Sequence, residues 1–523
     1  MGQSIVEEVG TYINIVTIMN TERTESKDCS TDRLSILYIF RNSLKLSSVS
    51  FLSYAIVFFV NIAIAKLLGP ERFGMAGFVL LFLQYAGVVR LGFIYAGYRE
   101  WIAERNKGNE AYAIKIQNVA ITDELLFAFI PIVFLFTAGI LFSETFYRFG
   151  FWLSSLLLLS LTIDRIFGSV HLSFERFNLS SRNRFLVSAV GPILSLILIA
   201  YVGLYALLLS PIIVTIGSIV LWLFFSPAIH YTPVLDFKCT RQLLLIGLPM
   251  SLVGFAFTIF RVADRTVVAL LLTPAELGYF NFASAIILAF AMLVNDFNTV
   301  ITPVMWSEVS RHGFSETTVS NIKKVTLQTV MAAGFILNLM QAVLSFMLIR
   351  FVPNYVNSFP LLDILVFNLV PFQLLVVPEI ILQSQNVQRQ WVVLKLYVLG
   401  IVLVLGSGYV LITFGYGIYG LVYASVISQL IISIVGNYFI DRYLCRSSSE
   451  RVYYYGRLAV LMLITVLVYL LLQIGPFAAN YERIDISSLA WRITLVVVVW
   501  SFVALTDKFL LNNYRFRMKN AEV

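Results

Sequence analysis

The chain has 523 residues, of which 59% are hydrophobic and 13% charged, and its mean hydropathy is +0.86. A water-soluble domain carries about 25% charge, so a soluble fold is excluded. Apolar runs of about 20 residues, recurring from Leu44 to Leu511, predict an all-α polytopic membrane protein instead.

In chain order, residues 1–43 are polar and mixed, with no short apolar run leading to a small-residue cleavage site, and are expected to form a cytoplasmic N-terminal extension. Six spans follow at about 44–68, 74–96, 117–142, 149–171, 185–203 and 205–227, with Gly203 as the expected turn inside the long apolar stretch that closes the set. Six more are predicted at about 242–272, 276–303, 325–350, 359–383, 392–414 and 418–440, and a last pair at about 454–474 and 487–510. Fourteen spans divide the chain into an N-lobe at 44–230, a C-lobe at 231–440 and an appended pair with a tail at 441–523.

The basic residues orient these spans, because Lys and Arg concentrate in short cytoplasmic loops. The side that holds both termini and the loops after even-numbered spans carries 25 of the 37 Lys and Arg residues, and the opposite side three, Arg72, Arg148 and Arg483. Both termini are therefore expected in the cytoplasm, and the net charge of +8 reflects orientation rather than nucleic-acid binding. Three cysteines without CxxC spacing and three scattered histidines predict neither disulfides nor a metal site, and no cofactor is expected. Trp101, Trp152 and Trp306 at span ends read as interfacial belts.

A shift of 204 residues lays Ala65, Leu67, Leu68, Pro70, Gly74 and Phe78 on Ala269, Leu271, Leu272, Pro274, Gly278 and Phe282. Both copies, AKLLGPERFG and ALLLTPAELG, read as a helix end, a tight turn with proline and a helix start. The repeat predicts two six-helix bundles around a midplane cavity.

Charges inside spans cost about 2.5–3.5 kcal/mol each even on lenient scales, so they face a cavity or a partner. Arg261, Asp264 and Arg265 stand at i, i+3 and i+4 on one face of span seven. Arg90 and Asp296 are near-equivalent under the repeat and are expected to face each other, Asp164 and Arg165 lie in span four, and Asp123 and Glu124 lie near the start of span three. A guanidinium fork matches phosphate oxygens in a dry site, which makes Arg90, Arg261 and Arg265 candidate diphosphate ligands, with Lys66 and Lys395 as weaker ones. Alternatively Arg261 pairs with Asp264 and Arg165 with Asp164 as internal salt bridges. Asp164, Arg165, Asp264 and Asp296 are also cavity or coupling candidates, with a proton or sodium ion as the coupled species.

The turn LLGPERFG, its echo in DRTVVALLLTPAELGYF and the late stretch FGYGIYGLVYASVISQ resemble the polysaccharide-transporter branch of the multidrug/oligosaccharidyl-lipid/polysaccharide exporter superfamily, over about residues 40–510. The resemblance implies two six-helix lobes, inward and outward states, and flipping of a polyprenyl-diphosphate-linked oligosaccharide to the outer leaflet of the cell (cytoplasmic) membrane, for surface polysaccharides such as lipopolysaccharide O-antigen. The implied partners are the lipid-linked oligosaccharide, the bilayer and polysaccharide-assembly proteins, with no nucleic acid.

Three rival readings remain. A small-molecule antiporter of the same superfamily that exports organic cations calls for a cavity rich in carboxylates and aromatics. A membrane glycosyltransferase or polymerase needs an acid or base held in an exposed loop. The non-cytoplasmic connections span only about 1–12 residues, too short for one, and no GxxxxGK[ST] pattern for ATP occurs. A structural scaffold leaves the intramembrane charges without a use.

Overall fold

The computed structural model describes residues 36–88, 91–173, 177–225, 231–384, 387–445, 447–473 and 486–521. Among them the chain is helical and contains no strand, the arrangement in which apolar segments satisfy every backbone polar group within a bilayer. The helices are α1 Ile36–Val88, α2 Phe93–Asn106, α3 Glu110–Leu141, α4 Thr145–Ser173, α5 Phe177–Val202, α6 Ala206–Phe225, α7 Phe237–Leu271 and α8 Pro274–His312. They continue as α9 Glu316–Phe351, α10 Phe359–Leu365, α11 Leu369–Gln383, α12 Gln390–Leu411, α13 Gly417–Leu444, α14 Ser448–Gln473 and α15 Ile486–Ala521. The described residues supply nine helical stretches long and apolar enough to cross a membrane, and a bent pair brings the number to ten.

Local chemistry explains the breaks. In α1 the helix is interrupted at Gly69, whose φ of 74° and ψ of 166° suit a residue without Cβ, and Pro70 restarts it. The second copy makes the same turn by another route. Thr273, the repeat partner of Gly69, caps α8 while Pro274 takes the first helical position, and the Glu276 carboxylate accepts from the Thr273 N–H at 2.9 Å, completing a capping box. The turn expected at Gly203 is present, with φ 58°, between α5 and α6. The α7 helix bends by 42° at Pro249, where proline removes a backbone hydrogen bond. Short 3-10 stretches at Pro353–Ser358 and Val366–Asn368 flank α10, and the second falls inside the tenth predicted span.

The buried apolar residues form one large cluster, drawn mainly from α7 through α15, and three smaller ones centred on the first half, of which the α2–α3 cluster also takes in Cys239 and Leu243 of α7. The halves meet along α1 and α8, where the two repeat turns interlock. A Cβ on Gly74 would strike the carbonyl oxygen of Pro274, and one on Gly278 the carbonyl oxygen of Pro70. Because 204 separates each pair, this reciprocity is what an approximate two-fold relation between the copies requires.

On the opposite, basic face the segment entering α7 is stitched to α3. Lys115 pairs with Asp236 at 2.6 Å, Asn118 donates to the Thr232 hydroxyl at 2.9 Å, and the Val234 N–H donates to the Thr122 hydroxyl at 3.2 Å. Asp236 also caps α7 by accepting from the Lys238 and Cys239 N–H groups. The buried Glu124 accepts from the Ile94 N–H at 3.3 Å, which caps α2 from a neighbouring helix. The appended α15 is tied to α9 by the Trp500 indole N–H donating to Asn338 Oδ1 at 3.0 Å.

Trp101 corrects the belt expectation. It is fully buried in the α2–α3 core, edge-on to Tyr98, because α2 packs against α3 and covers the ring. Trp152 stacks on Phe136 at 5.9 Å, and the Trp306 side chain lies outside the described residues.

Candidate functional site

Above the Pro249 bend, α7 carries Phe260, Arg261, Asp264 and Arg265 into a cavity of about 130 Å³. The i, i+3, i+4 spacing does what helical geometry demands, setting all three charges on one face. The remaining walls come from α8, from the broken segment around Val366–Asn368 and from α13, including Ser284, Asn368, Phe372, Ser425 and Gln429.

Neither internal salt bridge of the alternative reading is present. Among the described residues, no carboxylate lies within ion-pair distance of Arg261 or Arg265, and Asp164 does not pair with Arg165. The Arg261 guanidinium lies over the Phe257 ring at 5.5 Å, a cation–π contact that steadies the charge without neutralising it. Asp264 is instead held by its own surroundings: Oδ1 accepts from the Arg265 backbone N–H at 2.7 Å and Oδ2 from the Ser425 hydroxyl at 3.1 Å. The cavity therefore presents two arginines and one carboxylate already in use. Among the described lining residues two arginines stand against one carboxylate, and a net positive charge in a membrane bundle favours an anion.

Every described residue lining the cavity belongs to the second half of the chain. The first half reaches it through Tyr85 of α1, whose hydroxyl is bonded to Thr266, the neighbour of Arg265. Thr266 donates its own proton to the Val262 carbonyl at 2.9 Å, so Tyr85 is the donor.

Other sequence candidates fall elsewhere. Lys66 and Lys395 are exposed and do not line the cavity. Arg165 is exposed, while Asp164 turns into the α4–α5–α6 bundle, where Oδ1 accepts from Ser218, from the Trp222 indole N–H at 2.9 Å and from Asn183 at 3.4 Å. Arg90 lies outside the described residues, as does the side chain of Asp296. Asn368, Ser425 and Gln429 were missed as site residues because neutral polar residues are common in apolar helices. The signal available was the tail of the singled-out stretch, YASVISQ, which places Ser425 and Gln429 four apart on one face of α13.

Solved structures share this all-helical membrane bundle. The chain is similar to the lipid II flippase MurJ in an inward closed conformation, with a TM-score of 0.65 and 14% identity over 90% of this chain and 100% of that one. It is also similar to a multidrug resistance MATE family transporter of the MOP superfamily, inward-facing at a TM-score of 0.56 with 17% identity over 77% and 94% of the chains. In the outward-facing conformation the figures are 0.52 and 16% over 83% and 99%. No curated protein sequence matches the chain. The profile of the family described as polysaccharide biosynthesis protein matches residues 63–352, and the chain belongs to that family.

Proposed function

We propose that this protein is a flippase that carries a polyprenyl-diphosphate-linked oligosaccharide across the cytoplasmic membrane by alternating access. The observation that carries the reading is the pair of arginines, Arg261 and Arg265, lining a membrane-embedded cavity with no carboxylate in ion-pair distance among the described residues. A diphosphate supplies the missing charge, and each guanidinium can take two of its oxygens in a fork. The polyprenyl tail stays in lipid while the head group crosses. Both termini lie in the cytoplasm, as the basic loops require. Family membership supports a saccharide cargo, and the transporter fold supports movement of that cargo without a covalent step.

In this reading the interlocked turns at Gly74 and Gly278 close the outer face, and the α3–α7 seam closes the inner one. Cargo biases the equilibrium between states by its differential affinity for them, and a proton or sodium gradient acting on Asp264 or Asp296 supplies direction. The test is native mass spectrometry of the mildly solubilised protein from its own host. A bound lipid whose mass resolves into polyprenyl diphosphate plus sugars, weakened in Arg261→Ala and Arg265→Ala, is the expected result. Bound organic cations in place of that lipid would overturn the proposal.

A further inference from the structure

Beside the arginines, two amide side chains line the cavity with one atom each left over. Gln429 Nε2 is buried, without a hydrogen-bond partner, on a residue 7% exposed, and Asn368 Oδ1 is likewise buried and unpartnered. Other buried amides in the same half are matched with one another. Asn298 and Gln373 exchange two hydrogen bonds at 3.2 and 2.8 Å, and Asn338 donates to Gln341 and to the Thr465 carbonyl while accepting from Trp500. Asn281 Nδ2 and Asn437 Oδ1 are also unmatched, but neither lines this cavity, whereas Asn368 and Gln429 bring an unmatched donor and an unmatched acceptor to it together.

Their orientation is set by neighbours. Asn368 Nδ2 donates to the Ser425 hydroxyl at 3.4 Å, and Ser425 donates to Asp264. The planar amide then turns Asn368 Oδ1 away from Ser425. Gln429 follows Ser425 by one turn of α13, so it sits on the same face. The free donor and free acceptor thus flank Ser425, next to the helix face that bears Arg261 and Arg265.

The pair discriminates between ligand groups. A phosphate oxygen could satisfy Gln429 but would meet Asn368 Oδ1 as acceptor against acceptor. A metal cation suits Asn368 but not an N–H donor, since hard cations are held by oxygens. A group that both donates and accepts satisfies the two together, and a sugar hydroxyl or an acetamido substituent is such a group. We infer that Asn368 and Gln429 form a saccharide-reading subsite, which binds the sugar joined to the diphosphate through a group that is both donor and acceptor. This assignment rests on the flippase reading and adds to it the feature of the cargo that this cavity distinguishes.

The test titrates the purified full-length protein, followed by native mass spectrometry, with three probes: a polyprenyl diphosphate, its glucosyl derivative and its N-acetylglucosaminyl derivative. The quantity read is the affinity for each sugar-bearing probe divided by that for the sugar-free one. Wild type is expected to show a ratio of about ten, the effect of satisfying one or two buried amide groups. In Asn368→Leu and Gln429→Met the ratio falls to about one, and retained binding of the sugar-free probe in the same sample reports a folded cavity. A gain common to both sugars assigns a hydroxyl, a gain confined to the second assigns the acetamido group, and either upholds the subsite. A wild-type ratio near one, or a ratio that both substitutions leave unchanged, overturns it. Failure of wild type to bind any of the three probes removes the flippase reading and the subsite together.

Discussion

Replacing Gly278 with alanine puts a methyl group where the first repeat turn already stands. The new carbon would overlap the Pro70 carbonyl oxygen and lie 2.6 Å from the Pro70 carbonyl carbon and 3.0 Å from its Cα. Carbon atoms rest about 3.5–4.0 Å apart, so the turns must separate by roughly 1 Å. Because every obstacle is backbone, no side chain can swing aside. Overpacking of this kind costs about 1–3 kcal/mol. The penalty falls on the state in which the turns touch, so the population moves roughly 5- to 150-fold toward states in which they are apart. Gly74→Ala makes the mirror-image clash, with the Pro274 carbonyl carbon and the Gly278 nitrogen both at 2.8 Å, and the double variant should cost less than the sum because the contact is shared.

The assay uses Ala285→Cys, in the narrow gap beneath the turns lined by Phe58, Asn61, Phe73 and Phe282, after Cys29, Cys239 and Cys445 are replaced by alanine. Reaction with a membrane-impermeant maleimide from outside should accelerate at least about fivefold in either glycine variant, the lower end of that shift. The control is Gly254→Ala, where a Cβ meets nothing within 4 Å. Equal labelling rates in wild type, Gly278→Ala and Gly74→Ala, with all three folded, would refute the outer-gate reasoning.

Four further outcomes are expected. The Lys115 ammonium and the Cys239 and Lys238 N–H groups hold the Asp236 carboxyl below its ordinary value, so its contribution is complete above about pH 4 and is lost only as pH falls below that range. Asp236→Asn, which keeps a capping oxygen, should lower the thermal midpoint less than Asp236→Ala, and the wild-type contribution should stay flat from about pH 5 to 8. Trp500→Phe strands the buried Asn338 Oδ1 and should cost about 1–3 kcal/mol, read as a lower unfolding midpoint. In Glu124→Ala, hydrogen exchange at the start of α2 should quicken about fivefold, the effect of losing about 1 kcal/mol of capping. Asp164→Asn should reduce stability while polyprenyl diphosphate affinity stays at the wild-type value, because Asp164 points into α5 and α6; a large affinity loss would return it to the site.

The elements were legible wherever a local signal marks a boundary. Pro70, Pro274, Thr273 and Gly203 end or start helices by backbone chemistry alone, and the match of Gly74 with Gly278 became an observed contact. Intramembrane charge exposed Arg261, Asp264 and Arg265 for the same reason, since the bilayer makes each one costly. What spacing could not supply was partnership. Asp164 and Arg165 are adjacent in sequence but diverge by a fifth to a third of a helical turn, so one enters the N-terminal bundle and the other leaves it. Trp101 looked interfacial until α2 packed against α3. Asn368 and Gln429 lie 61 positions apart and acquire meaning only when α11 and α13 pack side by side, a tertiary fact with no periodicity to announce it.

A duplicated bundle could have lined this cavity evenly from its two copies, yet every described lining residue comes from the second copy, and Tyr85 of the first bonds to Thr266, the neighbour of Arg265. Under the proposed function this asymmetry assigns recognition at this cavity to the second copy. Chimeras exchanging halves between relatives should then inherit their cargo preference from the C-terminal parent.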